Sequence, residues 1–173
     1  MTDKKIKILL LEDNFSDAEL LIRTLDKAGV NHDLHWVESK NHFLSELHNF
    51  KPDVVLSDHS LPGFNSLEAL RISKTYAPDI PFILVTGTAS EEFAVDCMKA
   101  GVDDYILKDS LMRLSGSINN ALSRSNAQRE KRMVETLHMK LQVAYHEIEQ
   151  NNKNITDSLN YAKLIQEAML PDK

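Results

Sequence analysis

The chain is poor in the features that cross-link a fold or anchor it in a membrane. Cys97 is its single cysteine, which excludes an intramolecular disulfide and suits a reducing compartment. The apolar run after the basic N-terminus ends at Leu11, too early for a signal peptide or a membrane-spanning helix. We therefore expect a cytoplasmic protein that has no membrane segment.

Basic residues are scarce in the first two thirds of the chain. Residues 1–123 contain 12 Lys and Arg against 19 Asp and Glu, a net charge of −7, whereas residues 124–173 contain 8 against 7. A nucleic-acid-binding domain normally presents a basic face. The tail also has no basic run, and no compact helix-turn-helix pattern follows residue 122. We therefore expect no nucleic-acid partner.

Glycine and proline are both absent from residues 117–170. Gly116 is the last glycine, and no proline lies between Pro81 and Pro171. Residues 117–170 could form one helix of roughly 80 Å, at about 1.5 Å per residue. Apolar residues recur there every seven positions, and this a series consists of Val134, Leu141, Ile148, Ile155, Ala162 and Met169.

The heptads predict a coiled-coil segment at residues 123–171 that forms a parallel homodimer through residues 123–170. The companion d series is Leu137, Ala144, Asn151, Ser158 and Ile165. Its two polar members would reduce stability but set register. Antiparallel pairing, a higher oligomer and a single amphipathic helix that folds back on its own domain stay open as alternatives.

Residues 1–122 carry the pattern of an α/β domain. Val54–Asp58 is an apolar run without polar alternation, which is typical of a parallel strand covered on both faces. Similar runs alternate with helical patterns, and this predicts a doubly wound five-stranded parallel sheet in flavodoxin-like order. The predicted strands are residues 6–11, 33–38, 54–58, 81–86 and 104–108.

Polar side chains end four of these strands. Glu12 and Asp13 follow the first strand, and Asp58 ends the third, which should be its neighbour. Three carboxylates so close would repel one another unless a hard divalent cation such as Mg²⁺ joined them. Thr86 and Lys108 end the fourth and fifth strands and supply a hydroxyl and an ammonium. This set suits phosphoryl transfer to Asp58, whose alternative role is to cap the next helix.

These strand ends resemble the receiver domain of bacterial two-component response regulators (CheY-like) over roughly residues 5–122. The matching motifs are Leu11-Glu12-Asp13-Asn14, Leu56-Ser57-Asp58 with Leu61-Pro62-Gly63, Val85-Thr86-Gly87 and Tyr105-Ile106-Leu107-Lys108. The resemblance implies that a partner sensor histidine kinase phosphorylates Asp58. It also implies that Thr86 and Lys108 contact the phosphoryl group and that Tyr105 is the aromatic switch. The implied Mg²⁺ ligands are Glu12, Asp13, Asp58 and the backbone carbonyl of Ser60.

Two positions depart from the receiver pattern: Glu12 stands where aspartate is commoner, a mild variation, and the second follows the lysine. Receivers commonly have proline after the lysine, whereas Asp109 follows Lys108 here. This puts the usual cis peptide bond in doubt and predicts that Asp109 or Ser110 caps the following helix. Residues 155–171 are similar to the linker that precedes PPM-type serine/threonine phosphatase domains, so the output is expected to be a phosphatase domain that this chain lacks.

Two other functions compete with a signalling switch. An Asp-nucleophile phosphohydrolase of the haloacid-dehalogenase kind would need a second aspartate two residues after Asp58, where Ser60 stands. A receiver would hydrolyse its own phosphoaspartate slowly and turn over no substrate, so we expect no enzyme activity. His146-Glu147-Ile148 faintly resembles a histidine-kinase phosphorylation box but lacks the proline expected a few residues later.

Overall fold

A computed structural model describes residues 5–59, 61, 63–87 and 91–169, apart from the side chains of residues 91 and 92. Strands and helices alternate along the first two thirds of the chain. The strands are β1 (Ile6–Leu11), β2 (His32–Val37), β3 (Val54–Asp58), β4 (Phe82–Thr86) and β5 (Asp104–Leu107). The helices are α1 (Phe15–Lys27), α2 (Lys40–Asn49), α3 (Ser66–Tyr76), α4 (Glu91–Ala100) and α5 (Leu114–Ala168), with a 3₁₀ helix at Lys108–Arg113.

The five strands form one parallel sheet in the order β2-β1-β3-β4-β5. This confirms the predicted flavodoxin-like sheet. Every residue of β3 and β4 is buried because apolar side chains cover both faces. Leu10 and Leu56 pack with α1 and the start of α5, whereas Leu9 and Leu84 pack with α2, α3 and α4.

Local side chains define the helix starts. Asn14 caps α1 because its side chain accepts hydrogen bonds from the backbone N–H groups of Ser16 and Asp17. Ser39 caps α2 in the same way, as predicted. Gly29 follows α1 with φ of 68°, the left-handed conformation that glycine adopts without a steric penalty.

Two sequence predictions near β5 were wrong. The strand ends at Leu107, and Lys108 begins the 3₁₀ helix. Neither Asp109 nor Ser110 caps that helix, because the cap position is Leu107 and has no side-chain hydrogen bond. Asp109 lies inside the 3₁₀ helix, and Ser110 lies at a kink in it, with φ of −124° and ψ of 31°. Within the described residues no peptide bond is cis, so the Lys108–Asp109 bond is trans.

The C-terminal part of the chain is helical throughout its described length. α5 runs for 55 residues, which confirms the predicted long helix. The chain divides into two compact units, residues 1–128 and 129–173. From residue 126 to residue 169 every residue is exposed, including the heptad residues Val134 and Leu141. The pairing of this helix with a second copy stays a prediction, and in the described part of the chain no helix is long and apolar enough to cross a membrane.

Two neighbouring leucines of α1 provide a test of the packing. We expect Leu21→Ala to lower the free energy of unfolding by about 3 kcal/mol, because a buried leucine leaves a cavity. The matched change Leu20→Ala should cost about 0.5 kcal/mol or less. The reason is that Leu21 is 1% exposed and Leu20 is 47% exposed. Urea denaturation at equal protein concentration measures both, and equal losses would contradict this packing of α1.

Candidate functional site

Three carboxylates meet where β1 and β3 end. The two strands are hydrogen-bonded neighbours, with Leu11 paired to Ser57, so the residues that follow lie side by side. Glu12 is fully buried, Asp58 is 7% exposed and Asp13 is exposed. Each offers a carboxylate oxygen, and these oxygens lie within 4.8 Å of one another. The structure thus brings together the three predicted acidic residues.

Lys108 enters this acidic cluster from the end of β5. Its Nζ lies 2.6 Å from Asp17 Oδ2, 2.9 Å from Glu12 Oε2 and 3.5 Å from Asp58 Oδ2. The lysine side chain is only 14% exposed. An ammonium with little access to water is stabilised here by carboxylates on three separate elements.

Asp17 was missed by the sequence reasoning. It stands in the first turn of α1, three residues after the Asn14 cap. An aspartate at this position is usually explained by its favourable interaction with the helix dipole. Only the packing of α1 against the sheet reveals that the Asp17 carboxylate reaches Lys108.

Burial and hydrogen bonds shift the pKa values of Glu12 and Lys108 in opposite directions. Burial raises the pKa of Glu12 above its usual value, although hydrogen bonds from Lys108 and from the Asn14 backbone N–H oppose the rise. Burial lowers the pKa of Lys108, but hydrogen bonds to Asp17 and Glu12 outweigh it and leave the pKa well above the usual value. Lys108 is therefore a stable cation.

Thr86 lies on β4, the strand next to Asp58, and Tyr105 lies on β5, one strand further along the sheet. Asp58 pairs with Val85, and Thr86 is the next residue of β4, 1% exposed. Tyr105, on β5, is half-buried and pairs with Leu84. The predicted phosphoryl contacts of Thr86 and Lys108, and the predicted switch role of Tyr105, stay predictions. The predicted carbonyl ligand of Ser60 lies outside the described residues.

His59 connects Asp58 to α4, a contact that sequence reasoning also missed. Its backbone N–H donates to Asp58 Oδ1 at 2.7 Å, and its ring Nδ1 lies 3.0 Å from Ser66 Oγ. The ring centroid is 4.0 Å from that of Phe93, which in turn is 6.4 Å from that of Tyr105. A histidine directly after the acidic residue was the signal available in the sequence.

The tryptophan of the chain also touches this site. Trp36 Nε1 donates to the backbone oxygen of Glu12 at 2.6 Å, and its ring lies 5.9 Å from Phe15. Because the chain has no second tryptophan, its emission can report on the acidic cluster alone.

The donor set fits a hard divalent cation. Carboxylate oxygens are the ligands that Mg²⁺ prefers, and the ion keeps several waters. The exposure of Asp13 leaves one side of the cluster open to water, while Glu12 and Asp58 provide buried oxygens. Both oxygens of Glu12 already accept hydrogen bonds, from Asn14 and Lys108, so contact through a water suits this residue best.

Comparison with known proteins shows which family this part of the chain belongs to. Residues 8–118 match the response regulator receiver domain family. The chain belongs to this family. It therefore contains the receiver domain of a two-component response regulator.

Individual relatives agree with this assignment. The luminescence regulatory protein LuxO of Vibrio campbellii is 30% identical over 117 residues, which cover 67% of this chain and 25% of LuxO. The DNA-binding response regulator MtrA of Mycobacterium tuberculosis is 25% identical over 156 residues, covering 90% of this chain and 67% of MtrA. The match thus spans only a quarter of LuxO.

A solved structure matches the same part of the chain. The receiver domain (CheY-like) of Methanospirillum hungatei superimposes with a TM-score of 0.63 at 25% identity. The matched region covers 72% of this chain and 99% of the Methanospirillum chain. The receiver fold thus accounts for the sheet and its helices.

The contribution of the buried Lys108 ion pairs to stability can be compared with that of a more exposed pair. We expect Lys108→Met to lower the free energy of unfolding by about 3 kcal/mol, because Glu12 would keep a buried charge without its cation. Lys40→Met breaks the half-exposed Lys40–Glu68 pair and should cost under about 1 kcal/mol. Urea denaturation in chelator-treated buffer compares them. An equal loss in both variants would show that Lys108 does not stabilise the cluster.

Proposed function

We propose that this chain is a phosphorylation-dependent signalling switch that accepts a phosphoryl group on Asp58 from a sensor histidine kinase. The observation that carries the proposal is the position of Lys108 Nζ, 3.5 Å from Asp58 Oδ2, within a cluster that also includes Glu12 and Asp13. A carboxylate beside a cation and two further carboxylates is the arrangement that phosphoryl transfer to aspartate requires.

The two oxygens of Asp58 have different surroundings. Oδ1 accepts the His59 backbone N–H, whereas Oδ2 faces Lys108. We assign Oδ2 as the attacking atom. It forms the new P–O bond while the P–N bond to the phosphohistidine of the kinase breaks and its electron pair returns to the imidazole. Lys108 then neutralises the incoming negative oxygens, and Thr86 donates its hydroxyl to one of them.

Mg²⁺ is the proposed cofactor. Asp13 and Asp58 would bind it directly, Glu12 would bind through a water, and the Ser60 carbonyl is the further expected ligand. When bound, Mg²⁺ supplies positive charge to the phosphoryl oxygens. The chain's own residues contribute the orientation: the backbone N–H of His59 holds one Asp58 oxygen, and Lys108 faces the other.

The proposed output begins at Tyr105. When Thr86 moves toward the phosphoryl group, Tyr105 turns inward beside it, and β5 passes this change to the segment leading into α5. Phe93 supports the proposal because its ring lies edge-on to Tyr105 and also contacts His59. The same proposal includes slow self-dephosphorylation without turnover of a substrate and a cytoplasmic location.

In the proposed homodimer, two α5 helices lie parallel and pack through their exposed a and d residues. In a parallel pair Asn151 meets Asn151 and Ser158 meets Ser158, so polar groups bond to each other. An antiparallel pair would place them opposite apolar a residues and leave them unsatisfied. The similarity of residues 155–171 to PPM phosphatase linkers suggests that a phosphatase domain receives the signal; residues 170 and 171 lie outside the described part.

Chemical trapping can test the phosphoacceptor. After incubation with acetyl phosphate and Mg²⁺, borohydride reduction should convert Asp58 to homoserine, detected by peptide mass spectrometry. Asp58→Asn should abolish the product and chelation of Mg²⁺ should suppress it, because both remove groups that the transfer needs. Asp33→Asn, on exposed β2, should leave it unchanged.

A trapped product at another residue, or one that persists in Asp58→Asn, would refute the assignment. Multiple turnovers of para-nitrophenyl phosphate with Mg²⁺ would instead support the alternative function, an Asp-nucleophile phosphohydrolase.

Adjacent positions of α5 test the dimer. Leu141 is an a residue and Gln142 lies beside it on another face of the helix. We expect Leu141→Glu to shift the chain to monomer in sedimentation equilibrium, because a charge would enter the apolar seam. Gln142→Glu adds the same charge outside the seam and should remain dimeric. A monomeric wild type at micromolar concentration, or equal behaviour of both variants, would exclude this interface.

A further inference from the structure

Lys108 makes its shortest bond to a residue that the phosphoryl-transfer proposal does not use. Its Nζ lies 2.6 Å from Asp17, against 2.9 Å from Glu12 and 3.5 Å from Asp58. We propose that Asp17 is a positioning residue that draws Lys108 toward itself before phosphorylation and so weakens the affinity of the site for a phosphoryl group. This inference rests on the proposed function.

Asp17 is the fixed member of the pair. The Asn14 side chain accepts the backbone N–H of Asp17 at 3.3 Å and sets the first turn of α1. The next residue, Ala18, and Leu21 are each 1% exposed and attach α1 to the sheet. Lysine, in contrast, carries its ammonium on a flexible four-carbon stem. The backbone of Asp17 is therefore held in place, and a rearrangement of this contact is expected to move the Lys108 ammonium.

A phosphoryl group on Asp58 would compete for the same ammonium. Lys108 has three N–H donors, and Glu12 and Asp17 already accept from two of them. New anionic oxygens at Asp58 draw Lys108 toward them, so one of the existing bonds must lengthen.

Asp17 is the partner that releases. The Glu12 side chain is 0% exposed, so losing its cation would leave a buried charge unpaired. The Asp17 side chain is 35% exposed, so water can replace the ammonium at a smaller cost. The free energy of the Asp17–Lys108 ion pair is thus lost when the site binds a phosphoryl group, and this loss weakens that binding.

Beryllofluoride binding at saturating Mg²⁺ measures this effect on the full chain. Trp36 fluorescence reports on the site because its indole donates to the Glu12 backbone oxygen. We expect Asp17→Asn to bind beryllofluoride about threefold to tenfold more tightly than the wild type, because it keeps the side-chain shape but removes the charge that holds Lys108. Asp17→Glu restores the charge and should return the affinity toward the wild-type value.

Glu19→Gln is the control for general electrostatics. Glu19 is two residues from Asp17 and pairs with Arg23 at 2.8 Å, so its loss removes one negative charge without touching Lys108. Its affinity should stay at the wild-type value. A gain in Asp17→Asn that Glu19→Gln does not share supports the inference. No gain, an equal gain in both variants, or a loss would overturn it.

The responses of the wild type and of Asp58→Asn distinguish a failure of this inference from a failure of the proposed function. If the wild type gave no response to beryllofluoride, with Asp58→Asn equally silent, the phosphoacceptor proposal itself would fail. If the wild type responded and Asp17→Asn bound beryllofluoride with the wild-type affinity, the proposed switch would stand. The proposed role of Asp17 would then be refuted. Urea denaturation of each variant checks that it is folded before the titration.

Discussion

The site depends on one constraint: a buried carboxylate needs a cation. Glu12 is fully buried, and Lys108 supplies its positive charge. Removing water from both groups is costly, and the bonds among Lys108, Glu12 and Asp17 offset that cost. The same ammonium lies near Asp58, so the group that stabilises the resting cluster is also the group positioned for an incoming anion. In this arrangement stability and the proposed chemistry share one side chain.

The parallel sheet is what makes this sharing possible. Parallel strands end at the same edge, so β1, β3, β4 and β5 deliver their terminal residues to one place. Antiparallel neighbours would have sent Glu12 and Asp58 to opposite edges. The β3 and β4 residues that build the floor of the site are buried because helices cover both faces. The apolar run before Asp58 thus holds the carboxylate of this proposed phosphoacceptor on a rigid support.

The sequence predicted the strands, their order and the acidic cluster because these follow from local features: apolar runs, helix caps and polar strand ends. It did not predict Asp17 or His59, since which side chain of a helix or loop reaches the site depends on how that element packs on the sheet. The error at Asp109 has a similar cause. A cap was expected one residue after a strand, but Lys108 already begins a 3₁₀ helix.

Lys108 also connects the site to the rest of the chain. It is the third residue after Tyr105, and the 3₁₀ helix that it begins runs directly into α5. The start of α5 is firmly packed, because Leu114 and Ile118 are each fully buried in the core that also holds α1. A shift of Lys108 from Asp17 toward Asp58 would therefore act on the segment that joins β5 to α5. The lysine is therefore both the proposed phosphoryl contact and a residue of the proposed path from Tyr105 to α5.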